Sequence, residues 1–390
     1  HQRALDAMLT QQSAMAHTQL QISSGKRLVS TSDDPIAAQR VLDLDSAIER
    51  IGQYRRNAGI ANSRLHVEEN ALRGSGDLMQ RARELVVQGA SDSQTVEGRR
   101  LIAVEIRHLA DSLRDTANTR DGSGHFVFGG FRSTSTPFVK SGDVVSYGGD
   151  GGQRLIQVGE GHRLPEGDPG SEVFMGIASG NGTFEVDAAS SNTGSGAIYG
   201  VGVTDPTAYD DDVYTIEFLT DTNYQITDSG GGIVATGAYA ADDTIGFRGI
   251  EVKLTGIPST GDRFTASPSR SIDAFEVLGD IAAALEGATA DDVGRAQLRT
   301  DLGASLENVD QVIERFLEVR TAVGSRLAAI EAQQFAHDDL EVQFQSIRSE
   351  LQDLDYAEAI SRLNIQLNSL QAAQQSDSRI QNLSLFNYIR

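Results

Sequence analysis

The chain has no cysteine and no tryptophan among its 390 residues. Without cysteine there is no disulfide and no thiolate chemistry, which suits a protein that crosses compartments or is threaded unfolded through a channel. Positive charge is scarce: 33 Lys and Arg face 55 Asp and Glu, for a formal net charge of −22. That leaves no basic stripe to follow a phosphate backbone and argues against nucleic acid. Long hydrophobic runs are also missing, and nothing approaches the roughly 18 apolar residues that a bilayer span requires. There is no initiator Met and no signal peptide, so His1 is expected to mark a truncated start, with any export address further upstream.

The ends of the chain lack charge of either sign. No formally charged side chain occurs from Ala7 to Gly25, and from Ser361 to Asn387 the only ones are Arg362, Asp377 and Arg379. Both stretches are rich in Gln and Ser, with Leu, Ile and Met at helical spacing. Such helices lack the charged face that keeps a lone helix in water. They are expected to be buried by copies of themselves or by partners, with Gln and Ser exchanging hydrogen bonds with neighbouring helices. This describes a polymer subunit better than an enzyme.

Between Ser141 and Arg270 the texture changes, with 24 of the 40 Gly, 5 of the 7 Pro, and 19 acidic against 6 basic residues. Short β-branched and aromatic runs at Val213–Leu219, Tyr224–Thr227 and Gly249–Leu254 sit between Gly, Asp and Pro clusters, the spacing of an all-β sandwich or barrel-like module.

The flanks read as helical. Ser32, Asp33 and Asp34 are candidate caps, and Pro35 suits a first helical turn. Leu44, Ile51, Ala58, Leu65 and Leu72 then recur at sevens until Gly74 and Gly76, where a break is expected. Helices at Leu78–Gly89 and Val96–Ala117 follow, and Gly124–Phe131, GHFVFGGF, reads as a hairpin. After the β region come a short helix at Ile272–Leu285 and a very long one, with Leu302, Leu306, Val309, Ile313, Phe316, Val323, Leu327 and Ile330 alternating by threes and fours apart from Arg320 at one seam position. The register shifts around Asp355–Ala359 before Ile360, Leu363, Leu367 and Leu370 resume, so a joint is expected there; Ser23–Pro35 is the matching connector, with Gly25 allowing its turn.

The expected fold is α+β and multidomain: long N- and C-terminal helices packed as a coiled-coil-like rod with an inserted all-β domain. The expected divisions are a terminal helix of the inner domain at 1–30, the rod at 31–140 and 271–354, the β domain at 141–270, and a second terminal helix at 355–390.

Catalytic patterns are sparse. There is no G-x-S-x-G elbow, no G-x-G-x-x-G and no H-E-x-x-H, and the Gly25–Lys26 pair has Leu20 where a phosphate loop needs Gly. The clusters Asp210–Asp212 and Asp242–Asp243 lack the alternation and terminal Glu of a calcium loop and read as solvated strand edges. Tyr199, Tyr209, Tyr214 and Tyr224 read as aromatic packing of a β core rather than a sugar-binding face. No enzyme activity, cofactor or metal is expected. Candidate assembly contacts are Leu5, Met8, Met15 and Ile22 at the start, and Leu363, Leu367, Leu370, Ile380, Leu383, Leu385 and Phe386 at the end.

Ile22–Ala38, ISSGKRLVSTSDDPIAA, resembles the N-terminal signature of the flagellin superfamily, and its Asp-Asp-Pro-Ile-Ala form is closer to the hook-associated protein 3 branch than to flagellin. Asp355–Leu363, DYAEAISRL, and Gln371–Ile389, QAAQQSDSRIQNLSLFNYI, are similar to the ending of that branch. Val319–Ile330, Gly124–Phe138 and Tyr147–Phe174 resemble it too, whereas residues 175–270 carry no such likeness. The resemblance implies a structural protein of the bacterial flagellum at the hook-filament junction, secreted unfolded through the flagellar export channel, with termini that fold on assembly. It implies hook-associated protein 1 and flagellin as partners, self-association in a helical lattice, and an export chaperone at the C-terminal helix. A filament flagellin, or an adhesin acting through the β domain, is the alternative.

Overall fold

The computed structural model describes residues 2–388, with side chains described for 5–376, 378 and 379. Its helices are α1 (Gln2–Ser24), α2 (Pro35–Ala90), α3 (Val96–Ala117), α4 (Gly170–Val173), α5 (Ala274–Gly287), α6 (Asp292–Gln352) and α7 (Tyr356–Tyr388). The first seven strands are β1 (Phe138–Ser141), β2 (Val144–Tyr147), β3 (Leu155–Gly159), β4 (His162–Pro165), β5 (Ile177–Ala178), β6 (Phe184–Ala188) and β7 (Ala197–Val203). The other seven are β8 (Tyr214–Thr220), β9 (Asn223–Thr227), β10 (Ile233–Ala238), β11 (Thr244–Phe247), β12 (Ile250–Thr255), β13 (Arg263–Pro268) and β14 (Ser271–Ile272).

Two compact units result. The first comprises the chain up to Ala58, Val158–Glu160 and the chain from Glu331; the second comprises Gly59–Gln157 and Gly161–Ile330. The division falls inside α2 and α6 rather than at the helix joints.

In the first unit, Asp34 caps α2 by accepting from Ala37 N at 3.0 Å. Asp33 instead holds the preceding loop, accepting from Val29 N and Ser30 N at 3.0 and 2.9 Å, and it pairs with His17 Nε2 at 3.0 Å. Arg55 reaches Glu341 at 2.6 Å, and Arg348 reaches Asp45 at 3.1 Å, pairing the two long helices within this unit. The buried His337 continues the sevenfold seam of α6; its Nε2 meets the Val158 carbonyl at 2.7 Å and its ring stacks on Tyr54 at 5.6 Å.

The expected break at Gly74 and Gly76 does not occur, and α2 runs through both. A glycine inside a helix costs roughly 1 kcal/mol relative to alanine. Leu72 and Met79 on the adjoining turns are fully buried, and that packing outweighs the cost. A Cβ at either glycine would meet nothing within 4 Å, so no contact is lost there for want of a side chain.

GHFVFGGF is not a hairpin. It makes one bridge, Arg120 to Phe126, and then turns. Three consecutive residues, Phe126, Val127 and Phe128, are buried, which alternating strand side chains on a two-faced hairpin would not allow. The backbone pairs elsewhere: Val127 N donates to Thr119 O at 3.0 Å, and the Phe128 carbonyl accepts from Gly170 N at 2.9 Å. Phe128, Phe138, Phe174, Phe275 and Phe316 then form one aromatic cluster, with centroid distances of 5.1 to 6.0 Å. The short helix begins at Ala274, later than expected, because Asp273 accepts from Phe275 N and Glu276 N while Ile272 is taken by β14. Arg320, out of place in an apolar seam, pairs with Glu69 at 2.7 Å.

The β region has a five-stranded antiparallel sheet, β10-β9-β8-β13-β6, and a three-stranded one, β11-β12-β7. Their inner residues share one core that includes Phe184, Tyr214, Phe218, Ile226, Ile250 and Phe264. Alternation is clean in β8, where Tyr214, Ile216 and Phe218 are buried and the residues between them are not. Tyr209, Tyr214 and Tyr224 pack on Phe184, Phe247 and Phe218, and Tyr199 is exposed.

Candidate assembly interface

In the first unit α1 packs against α7. The buried and half-buried positions of α1 recur at Met8, Gln11, Met15, Thr18 and Ile22, and those of α7 at Ala359, Leu363, Gln366 and Leu370. Both series step by threes and fours, which is the seam of a two-helix coil. Three of the nine are polar. Among the described residues Gln366 Oε1 is buried without a hydrogen-bond partner, as is Oε1 of Gln21.

A second apolar set lies off this seam. Leu5, Leu9 and Leu20 on α1 are 49%, 58% and 55% exposed, and Ile360, Ile365 and Leu367 on α7 are 49%, 66% and 37% exposed. Full burial of an exposed aliphatic side chain is worth about 1.5 to 3 kcal/mol, and at these exposures roughly half of that is still to be gained by each. With Arg3 and Asp6 the only formal charges on α1, both at its start, and only Glu358 and Arg362 on the first turns of α7, little opposes that burial.

The joint that positions the two helices is closed by backbone. Gly25, at φ +68°, ends α1 in the left-handed region that favours glycine. Arg27 N donates to Gln352 O at 2.7 Å, and Leu354 N donates to Gly25 O at 3.0 Å, so the α1–α2 and α6–α7 connectors pair with each other. Arg27 Nη2 adds a bond to Leu351 O, and Gln21 Nε2 one to Arg27 O, both 2.6 Å.

The sequence-predicted contacts therefore divide. Met8, Met15, Ile22, Leu363 and Leu370 occupy the seam between α1 and α7, while Leu5 and Leu367 face outward. Ile380, Leu383, Leu385 and Phe386 lie outside the residues whose side chains are described. The exposed Leu9, Leu20 and Ile365 were missed; their signal is an apolar residue off the heptad in a stretch almost without charge. Ile360 and Leu367, expected on the resumed seam of α7, are exposed, and Ala359 and Gln366 take those seam positions instead.

Also missed was a buried charge cluster in the second unit. Arg326 grips Asp168 with two bonds of 2.8 and 2.9 Å, and Gln153 Nε2 adds a third at 2.7 Å. Asp168 N donates to Glu68 Oε1 at 3.0 Å. Arg64 pairs with Asp121 at 3.1 Å and donates to the carbonyls of Phe126 and Val127 at 3.3 and 3.4 Å. Burial, reinforced by the charge of Asp168, pushes the Glu68 carboxyl well above the usual range. The cluster ties the 121–128 turns and the 166–170 segment to α2 and α6. Its only trace in the sequence is charge at positions 64 and 68 flanking the apolar seam.

Among the described residues no group of three His, Cys, Asp or Glu side chains is placed to hold a metal ion, and no helix is long and apolar enough to cross a membrane. Asp210 is engaged by the Tyr214 hydroxyl.

Residues 1–133 match the family model of the bacterial flagellin N-terminal helical region. Residues 188–268, where the sequence alone offered no likeness, match that of the flagellar hook-associated protein 1 D2-like domain. The chain is 32% identical over 173 residues to flagellar hook-associated protein 3 of Escherichia coli (strain K12), covering 44% of this chain and 54% of that one. It thus spans about half the length of the curated relatives it matches. The crystal structure of Xanthomonas campestris FlgL aligns at 30% identity with a TM-score of 0.74, covering 78% of this chain and 99% of that one. The flagellar junction protein FlgL from Legionella pneumophila aligns at 27% identity and a TM-score of 0.75, covering 80% and 100%. With likeness at this level over nearly the whole of the solved FlgL chains, and with the paired terminal helices in place, this protein belongs to the flagellar hook-associated protein 3 (FlgL) family.

Proposed function

We propose that this chain is a structural subunit of the bacterial flagellum, exported by the flagellar apparatus, that joins the hook, through another hook-associated protein, to the flagellin filament. The observation that carries the reading is the second apolar set on α1 and α7. The intramolecular seam is already filled by Met8, Met15, Ile22, Leu363 and Leu370, so Leu5, Leu9, Leu20, Ile360, Ile365 and Leu367 are free for neighbouring subunits. In a helical lattice such contacts are heterologous, one face meeting a different face of the next copy. Uncharged, Gln-rich surroundings let one subunit meet two unlike neighbours, hook-associated protein 1 below and flagellin above. The terminal helices supply the polymer contacts, and an export chaperone takes the C-terminal helix.

Deleting the chain in its host tests this. Bare hooks with flagellin shed as monomer into the medium are the expected result. Loss of the filament protein itself would make the chain a flagellin, and normal filaments would defeat both readings.

A further inference from the structure

Beside Gly167 in the second unit lie buried polar atoms that have no hydrogen-bond partner among the described residues. A carbon attached at Gly167 would lie 3.4 Å from Glu68 Oε2, 3.6 Å from Arg64 Nε and 3.8 Å from the Val127 carbonyl oxygen. Glu68 Oε2 and Arg64 Nε are both buried and both orphaned. Glu68 is 0% exposed and Arg64 7%. Their remaining polar atoms are engaged, Glu68 Oε1 by Asp168 N and the Arg64 terminal nitrogens by Asp121, Phe126 and Val127. An acceptor, a donor and a carbonyl thus converge where residue 167 has no side chain. The backbone does not explain the glycine, because Gly167 lies outside the left-handed region.

We propose that this space is a binding site for a single water molecule, which accepts from Arg64 Nε–H and donates to Glu68 Oε2 and the Val127 carbonyl. One donor and two acceptors match the hydrogen-bonding capacity of water, and three partners are usual for a buried one. The site works with the Glu68 carboxyl in either form, since a protonated Oε2 donates to the water instead. Asp168, Arg326, Asp121, Glu166 and Arg154 complete the charges around it. The water joins the ion pairs into one satisfied network, which is the condition for buried polar groups to hold a segment rather than weaken it. Gly167 is kept small so that the water fits.

Two substitutions test the site. In Gly167→Ala the methyl carbon makes ordinary contacts at 3.4 to 3.8 Å and meets no backbone strain, but it takes the place of the water. In Gly167→Ser the added hydroxyl accepts from Arg64 and donates to Glu68. The readout is hydrogen exchange of the Asp168 amide, which donates to Glu68 Oε1, together with the urea midpoint of the second unit. Exchange is expected to quicken about tenfold or more in the alanine variant and to return most of the way in the serine variant. An alanine variant as protected as the parent would overturn the proposal, since a dry space gains from alanine through the unfolded state. Equal loss in both variants would also overturn it, because crowding and not lost hydration would then be the cause. Should either variant fail to fold, a crystal structure of the parent that orders internal water decides: density beside Gly167 supports the site, and its absence refutes it.

Discussion

Replacing Arg326 with methionine keeps most of the side-chain volume and removes the cation that grips Asp168. Both partners are deep, with side chains 15% and 7% exposed, so water screens the pair little. The substitution takes away bonds of 2.8 and 2.9 Å and leaves Asp168 with Gln153 at 2.7 Å. Breaking a buried pair from one side costs about 3 to 5 kcal/mol, mostly from the charge left behind. The remaining amide contact places the expected loss near the lower end, about 3 kcal/mol. Arg326 also steadies the charged form of Glu68, so its removal raises that carboxyl further. A carboxyl raised in the folded state is stabilising below its unfolded pKa and loses that contribution as pH rises through the folded one. The damage from Arg326→Met is therefore expected to be larger at pH 8 than at pH 5. Six of the nine tyrosines lie in the second unit, so near-ultraviolet circular dichroism during urea unfolding reports on it. Adding Asp168→Asn removes the stranded charge and is expected to recover more than half of the loss. A single variant within 1 kcal/mol of the parent, or a double variant that sums the two single losses, would refute the reasoning.

Leu367→Asp is expected to leave the monomer folded, because that residue is already 37% exposed, and to abolish incorporation into flagella; electron microscopy of a complemented deletion strain checks this. Leu370→Asp, at 8% exposed, is expected to unpack α7 from α1 in the monomer as well, seen as early trimming by protease. Gly25→Ala puts a methyl in the left-handed region and 2.9 Å from the Tyr356 hydroxyl, a penalty of about 1 to 2 kcal/mol or more, and should make the paired connectors the first site of nicking. Burial pushes the Glu307 carboxyl up to about 7, so its contribution to stability is full below about 4.5 and lost as pH rises through 7, with a slope approaching 1.4 kcal/mol per unit between. Glu307→Gln should flatten the fall in melting temperature from pH 5 to pH 8, and an unchanged slope would remove Glu307 from the account.

Much of the fold was legible in local pattern. The sevenfold apolar repeats of α2 and α6, the Asp34–Pro35 start and the turn at Gly25 are relations between residues a few positions apart, and the chain adopts them wherever an apolar seam finds cover. The β strands at Tyr214–Thr220, Asn223–Thr227 and Ile250–Thr255 lie within a residue of their β-branched runs for the same reason. Relations across long sequence distances were not legible. Nothing near Gly74 tells a helix to continue; Leu72 and Met79 do so by being buried. Nothing in GHFVFGGF shows that Val127 N pairs with Thr119 O, or that all three central side chains turn inward.

The same division holds for the candidate interface. By itself the sequence determined that the ends are charge-poor helices with apolar residues at helical spacing, since charge and periodicity are properties of composition and order. Only the tertiary structure decided which apolar residues of those helices stay exposed. Packing α1 against α7 uses one stripe of each helix and leaves Leu9, Leu20, Ile360 and Ile365 outside it. Only the structure likewise brought Arg64, Glu68, Asp168 and Arg326 together from positions up to 262 residues apart, because ion pairing acts across space and leaves no period in the chain.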